Sequence, residues 1–246
     1  MKSYALIPVG TALVLTLLTA CGHSGGDHAT PASANADIHA NEQLGTTWGD
    51  EIRSPSKHVS VTYLSDDPID QNVVRYAAKA FTGKTLNSVS LHHGKVNLSF
   101  TDDNGNTLPI TRENSDYYLS ATEGQKYTLR YTNTSDNTYA IIASVDGLNV
   151  ITGERASVHG SSYILNPHAT LLIEGFRKND SAVASFTFGK PEHSYANHSD
   201  RGSIDNTGVI GTAIYEVRLD DESAPKFAPP PNSKPNTQPQ AFPADK

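Results

Sequence analysis

"TYAIIASVDGLNVITG", Thr138 to Gly153, is the stretch whose reading decides the fold. Tyr139 to Val145 is an apolar run rich in strand-forming residues. It meets Asp146-Gly147, and a second apolar segment, Leu148 to Ile151, follows at once. Asp-Gly between two apolar runs is the signature of a type I′ hairpin, because Gly takes positive φ without strain and Asp tolerates it. The alternative keeps Asp146, together with Asn149, as part of a polar recognition loop.

Moving outward, the neighbouring segments carry the same β signal. "KYTLRYTN" alternates Tyr127, Leu129 and Tyr131 against Lys126, Thr128, Arg130 and Thr132, the period of a half-buried strand. "SSYILNPHATLLIEGF" divides into two strands, around Tyr163 to Leu165 and Thr170 to Phe176, at the turn residues Asn166-Pro167. "AVASFTF" puts Ala184, Phe186 and Phe188 on one face, and "TGVIGTAIYEV" is apolar almost throughout, as a central strand is. Short strands at short spacing predict a mainly all-β chain, an Ig-like antiparallel β-sandwich over residues 111–221. The Cys–Trp hallmark of antibody domains is absent, so the likeness is one of architecture.

Residues 46–110 form a β-rich segment that either adds to the sandwich or stands as a small module. "HVSVTYL" alternates Val59, Val61 and Tyr63, and "VNLSFTDDNGNTLPI" predicts a hairpin around Asn104-Gly105. "DQNVVRYAAKAF" fits a helical face through Val73, Tyr76, Ala77, Ala80 and Phe81 behind an Asp70 cap. It also fits a strand through Val74, Tyr76, Ala78 and Ala80. The expectation here is a helix.

The ends differ from the middle. Lys2 and an apolar run from Ala5 to Leu18 form a secretory-type segment, too short for a spanning helix of about 20 residues. Leu18-Thr19-Ala20-Cys21 resembles the lipobox of bacterial lipoproteins. The resemblance implies a signal peptide over residues 1–20 and lipidation of Cys21, hence attachment to a membrane. Cys21 is the sole cysteine, so disulfides and thiolate metal sites are excluded. Gly22, where an Asp would resemble an inner-membrane retention signal, points to the outer membrane, on its periplasmic or surface face. Residues 21–45, rich in small and polar side chains, are expected to be a flexible tether, and the Pro-rich residues 222–246 a disordered tail.

"EGQKYTLRYTN", "VDGLNVITG", "GSSYILNPHATLLIEGFR", "SFTF", "SYA" and "NTGVIGTAIYE" together resemble an uncharacterised family of bacterial envelope proteins. The resemblance covers Glu123 to Glu216. It implies one compact β domain and no particular reaction.

The formal net charge of −7, with Lys and Arg scattered, leaves no basic stripe for phosphates, so nucleic acid is not an expected partner. No nucleophile elbow or Walker loop occurs, and no cofactor is implied. "HGSSY", His159 to Tyr163, sets two serines beside a His, but sequence neighbours on a loop rarely assemble a triad. "HSYANHSDRGSIDN" is the richest polar cluster, with His193, His198, Asp200 and Asp205, but it lacks convergent metal spacing. Adjacent His92 and His93 would point to opposite faces of a strand. Tyr195, Arg201 and Asn206 are the contact-type residues of that loop, and with Asp146 and Asn149 they are the candidate binding residues. The expected function is a lipid-anchored binding or assembly module for an envelope protein or cell-wall glycan. An envelope hydrolase with an unrecognised site, or a surface-exposed adhesin or inhibitor, is the alternative.

Overall fold

The structure is a computed structural model, and it describes residues 37–220. The signal segment, Cys21, most of the tether and the Pro-rich tail lie outside the described residues.

Among the described residues, seventeen strands form two sheets that pack as a sandwich. In chain order they begin with β1 (Gly45–Arg53), β2 (Val61–Tyr63), β3 (Asp70–Ala77), β4 (Lys84–Leu86), β5 (Val89–Leu91) and β6 (Val96–Thr101). They continue with β7 (Thr107–Leu108), β8 (Ile110–Glu113), β9 (Asp116–Ser120), β10 (Lys126–Asn133), β11 (Thr138–Val145) and β12 (Leu148–Asn149). The last five are β13 (Tyr163–Leu165), β14 (Thr170–Ile173), β15 (Gly175–Asn179), β16 (Ala182–Gly189) and β17 (Val209–Leu219). One sheet runs β1-β16-β10-β6-β5, joined by β7, β14 and β15. The other runs β12-β11-β17-β3-β9-β8-β4, joined by β2 and β13. Residues 46–110 and 111–221 both supply strands to both sheets. The pairing is antiparallel except between β3 and β9, which run parallel.

The alternation of β10 is met by the structure: Tyr127, Leu129 and Tyr131 are buried in the core, against half-exposed or exposed neighbours. The near-continuous apolar character of β11 and β17 has a different cause. Ile141, Ala143 and Val145 face the inter-sheet core, while Ala140 and Ile142 join Ala213, Tyr215 and Val217 in a second cluster on the outer face. Ala156 and Val158, on the long connection after β12, cover that cluster together with Val61 of β2. These strands are buried on both faces, so polar alternation is lost.

Two local expectations give way to tertiary structure, and a third is met in part. The helix expected at Asp70–Phe81 is strand β3 over Asp70–Ala77. Val74 and Tyr76 are fully buried, and the strand fills the gap between β17 and β9, so long-range ladder partners outweigh the helical spacing. β13 and β14 flank Asn166-Pro167 but do not pair with each other, since β13 adds to β11 and β14 to β10. The expected tether is already packed before residue 45: Leu44 is buried, Gln43 bridges Ala77, and Glu42 accepts from the Ala78 amide.

Candidate functional site

Asp146-Gly147 is the predicted turn, with φ of 51° and 76° and Val145 opposite Leu148. The same Asp has a second role that turn chemistry does not require. Asp146 is 1% exposed. Oδ2 accepts from the Thr46 amide at 2.6 Å, and Oδ1 from the Tyr76 hydroxyl at 2.6 Å and the Gly208 amide at 3.0 Å. With its proton on Asp146, the Tyr76 oxygen accepts from Thr46 Oγ1 at 2.8 Å, and Thr46 in turn accepts from the Tyr127 hydroxyl at 2.6 Å. One carboxylate thus fastens β1, β3 and the start of β17 to the β11 turn, and a chain of hydroxyls carries the bond on to β10. Burial pushes the Asp146 carboxyl up to about 6, against the opposing pull of the Tyr76 hydroxyl and the backbone amides.

Asn149 is also buried. Its Oδ1 accepts from the Ile151 and Thr152 amides, and its Nδ2 donates to the Ser161 carbonyl. It holds both ends of the connection that covers the outer cluster. Asp146 and Asn149 therefore face inward.

The polar loop is more ordered than its composition suggests. Ser194, buried, caps a single helical turn, α1 (Tyr195–His198), accepting from the Asn197 amide at 3.1 Å. Tyr195 packs between Phe176 and the exposed Trp48, with ring centroids 4.6 and 4.7 Å away. Arg201 pairs with Glu154. A Cβ on Gly153 would lie 2.7 Å from the Tyr195 hydroxyl, so Tyr195 and Arg201 both meet the corner at residues 153 and 154. Asn206 closes a short 3-10 turn capped by Ser203 and is half-buried. Among the described residues, no three His, Cys, Asp or Glu side chains converge on one point, the cluster from His193 to Asp205 included. His92 and His93 both take positive φ, with rings 5.8 Å apart.

The feature that sequence reasoning missed is a cleft of about 260 Å³ on the outer face, beside β2. Tyr63 of β2 and Tyr215 of β17 meet edge to face at 5.1 Å and 83°. Ile142 and Val158 line it with apolar surface, and Ser65, Asp66 and His159 supply polar groups. The Tyr215 hydroxyl donates to the Val158 carbonyl at 3.1 Å and lies 3.3 Å from His159 Nδ1. Burial, with Asp67 and Tyr63 adding to it, raises that hydroxyl to about 12. Tyr63 bonds Ser162 Oγ at 3.0 Å, so the His and Ser of "HGSSY" engage two different tyrosines and assemble no triad. The cleft is smaller than the usual small-molecule pocket of about 300–1,000 Å³ and suits one side chain or one ring. Tyr63 in an alternating strand followed by Asp66-Asp67 was the available signal, but nothing local tied it to Tyr215.

No family model, curated protein or solved structure matches the chain.

Proposed function

We propose that this chain is a lipid-anchored binding module of the bacterial cell envelope, held at the outer membrane through Cys21 and engaging a protein partner through the Tyr63–Tyr215 cleft. The observation that carries the reading is the surface around that cleft. Of the seven large hydrophobic side chains exposed among the described residues, Val59, Tyr63, Leu64 and Leu219 lie in or next to β2 and the end of β17, and Tyr63 lines the cleft. Grouped exposed apolar side chains with a polar rim mark interaction sites, whereas scattered ones do not. The lipobox resemblance at Leu18–Cys21 and the envelope-family resemblance over Glu123–Glu216 support the location.

The test places a photo-cross-linking phenylalanine at Tyr63 and, as a control, at Lys84 on the edge strand β4, in intact cells. A discrete protein adduct from position 63 alone is expected. No adduct at position 63, equal adducts at both positions, or an adduct that only glycan-degrading enzymes remove would overturn the protein-binding reading. Cys21→Ser should move the chain from the membrane pellet to the soluble fraction, and a variant that stays in the pellet would refute the anchor.

A further inference from the structure

The β2 strand pairs with β17 and with no other strand among the described residues. The register sets Tyr63 opposite Val217 and Val61 opposite Leu219. The Leu64 amide donates to the Glu216 carbonyl at 3.1 Å, and the Asp220 amide to the Ser60 carbonyl at 3.0 Å. In an antiparallel ladder, hydrogen-bonded pairs alternate with pairs that do not bond. Ser60, Thr62 and Leu64 therefore turn their backbone groups to β17, and Val61 and Tyr63 turn theirs away from it. An exposed edge with outward N–H and C=O groups is a template for another strand. Native edges are often guarded by a proline, a lysine or a bulge; residues 61 to 63 carry none of these.

The cleft beside this edge has a definite chemical preference. Its polar groups are acceptors. Asp66 lines it, and Asp67 lies near enough to act on the Tyr215 hydroxyl. With its proton on the Val158 carbonyl, the Tyr215 oxygen accepts from His159 Nδ1–H, the tautomer in which Nε2 is an acceptor. Two tyrosine rings add negative π faces, which attract cations. Acceptors, a carboxylate and ring faces together call for a donor with positive charge.

We propose that the cleft and the β2 edge form one site, which takes an extended basic peptide segment by strand addition: its backbone pairs with Val61 and Tyr63, and a Lys or Arg side chain enters the cleft beside the packed Tyr63 and Tyr215 rings, toward Asp66. Main-chain bonds supply affinity in this mode, and the pocket for one side chain supplies specificity. The inference rests on the binding-module reading and deepens it by naming the partner's chemistry and the mode of capture.

The experiment uses the full chain in detergent and a short acetylated peptide alternating threonine and valine around one central lysine. Titration should shift the Val61 and Tyr63 amide resonances. Replacing the lysine by glutamate should weaken binding at least tenfold, and Asp66→Asn should weaken the lysine peptide alone. Val61→Pro removes an outward N–H, a place where an edge strand tolerates proline. It should keep the melting temperature within a few degrees and lose the peptide, and a peptide N-methylated on alternate residues should not bind. No shift at millimolar peptide, or equal binding of the glutamate or N-methylated peptides, would overturn the proposal. If the Tyr63 cross-link in cells survives while these arms fail, strand addition falls and the binding module stands. If the peptide binds as expected but no cross-link forms, the cellular reading falls instead.

Discussion

Two tyrosine–aspartate groups lie in this protein, one on each side of the sheet that contains β11 and β17. On the inner side, Tyr76 and Tyr127 converge through Thr46 on Asp146, and every oxygen of that carboxylate has a protein donor. On the outer side, Tyr63 and Tyr215 stand at right angles with Asp66 beside them, and Tyr63 is 40% exposed. The residue types are nearly the same. Access to solvent separates their roles: the inner group satisfies itself and holds strands together, while the outer group keeps acceptors that a partner can use. A sealed, fully bonded carboxylate is a poor recognition element however reactive its environment makes it.

The largest expected effect breaks the inner group. Asp146→Ala leaves the Thr46 and Gly208 amides and the Tyr76 hydroxyl without their acceptor and asks Ala to hold positive φ, a loss of roughly 4 kcal/mol. Urea unfolding measures it, and a loss below about 1 kcal/mol would show that the clasp is dispensable. Asp146→Asn keeps the turn, and turn chemistry alone predicts a mild effect. The buried geometry predicts more, about 1–3 kcal/mol, because one amide nitrogen must face a donor that now bonds a carboxylate oxygen.

Next in size is a pH effect that sharpens the contrast. The folded Asp146 carboxyl titrates at about 6, above its ordinary value of 3.8, so the folded chain holds this proton more tightly than the unfolded chain does. Its contribution is fully present below the unfolded value and is lost as pH rises through about 6. Acidification across that window should therefore stabilise wild type relative to Asp146→Asn, by up to roughly 3 kcal/mol. Asp50 and Asp102, whose carboxyls are held low by hydrogen bonds, act in the opposite sense in both proteins and cancel in the comparison. Paired unfolding curves at several pH values check the sign; a difference independent of pH would mean that Asp146 does not titrate in this range.

The smallest effect on stability belongs to the outer group. Tyr215→Phe removes a hydroxyl that bonds the Val158 carbonyl and His159, a change of about 1 kcal/mol. Tyr63→Ala, at an exposed edge, should change stability less than Asp146→Ala does while removing the cross-linked partner. If Tyr63→Ala instead unfolded the chain, the cleft would be part of the core and the contrast would collapse.

Much of the β architecture was legible locally. Period-two alternation marked β10, Asp146-Gly147 marked the turn from β11 into β12, and Asn104-Gly105 marked the tip between β6 and β7, where Gly105 takes φ of 80°. These are properties of short windows, because side-chain alternation and turn dihedrals are set by adjacent residues. Asp70–Ala77 was not legible, since its apolar residues satisfy both helical and strand spacing, and only β17 and β9 on either side make it a strand.

The sequence by itself determined the strand class and the positions of the Asp146-Gly147 and Asn104-Gly105 turns, which depend on neighbours along the chain. The tertiary structure alone decided what the tyrosines and aspartates do. Asp146 meets donors 100, 70 and 62 residues away, and the cleft joins residues from Tyr63 to Tyr215. Whether a carboxylate becomes a buried clasp or an open acceptor is set by which strands pack around it, and that is a property of the folded sheets rather than of any stretch of residues.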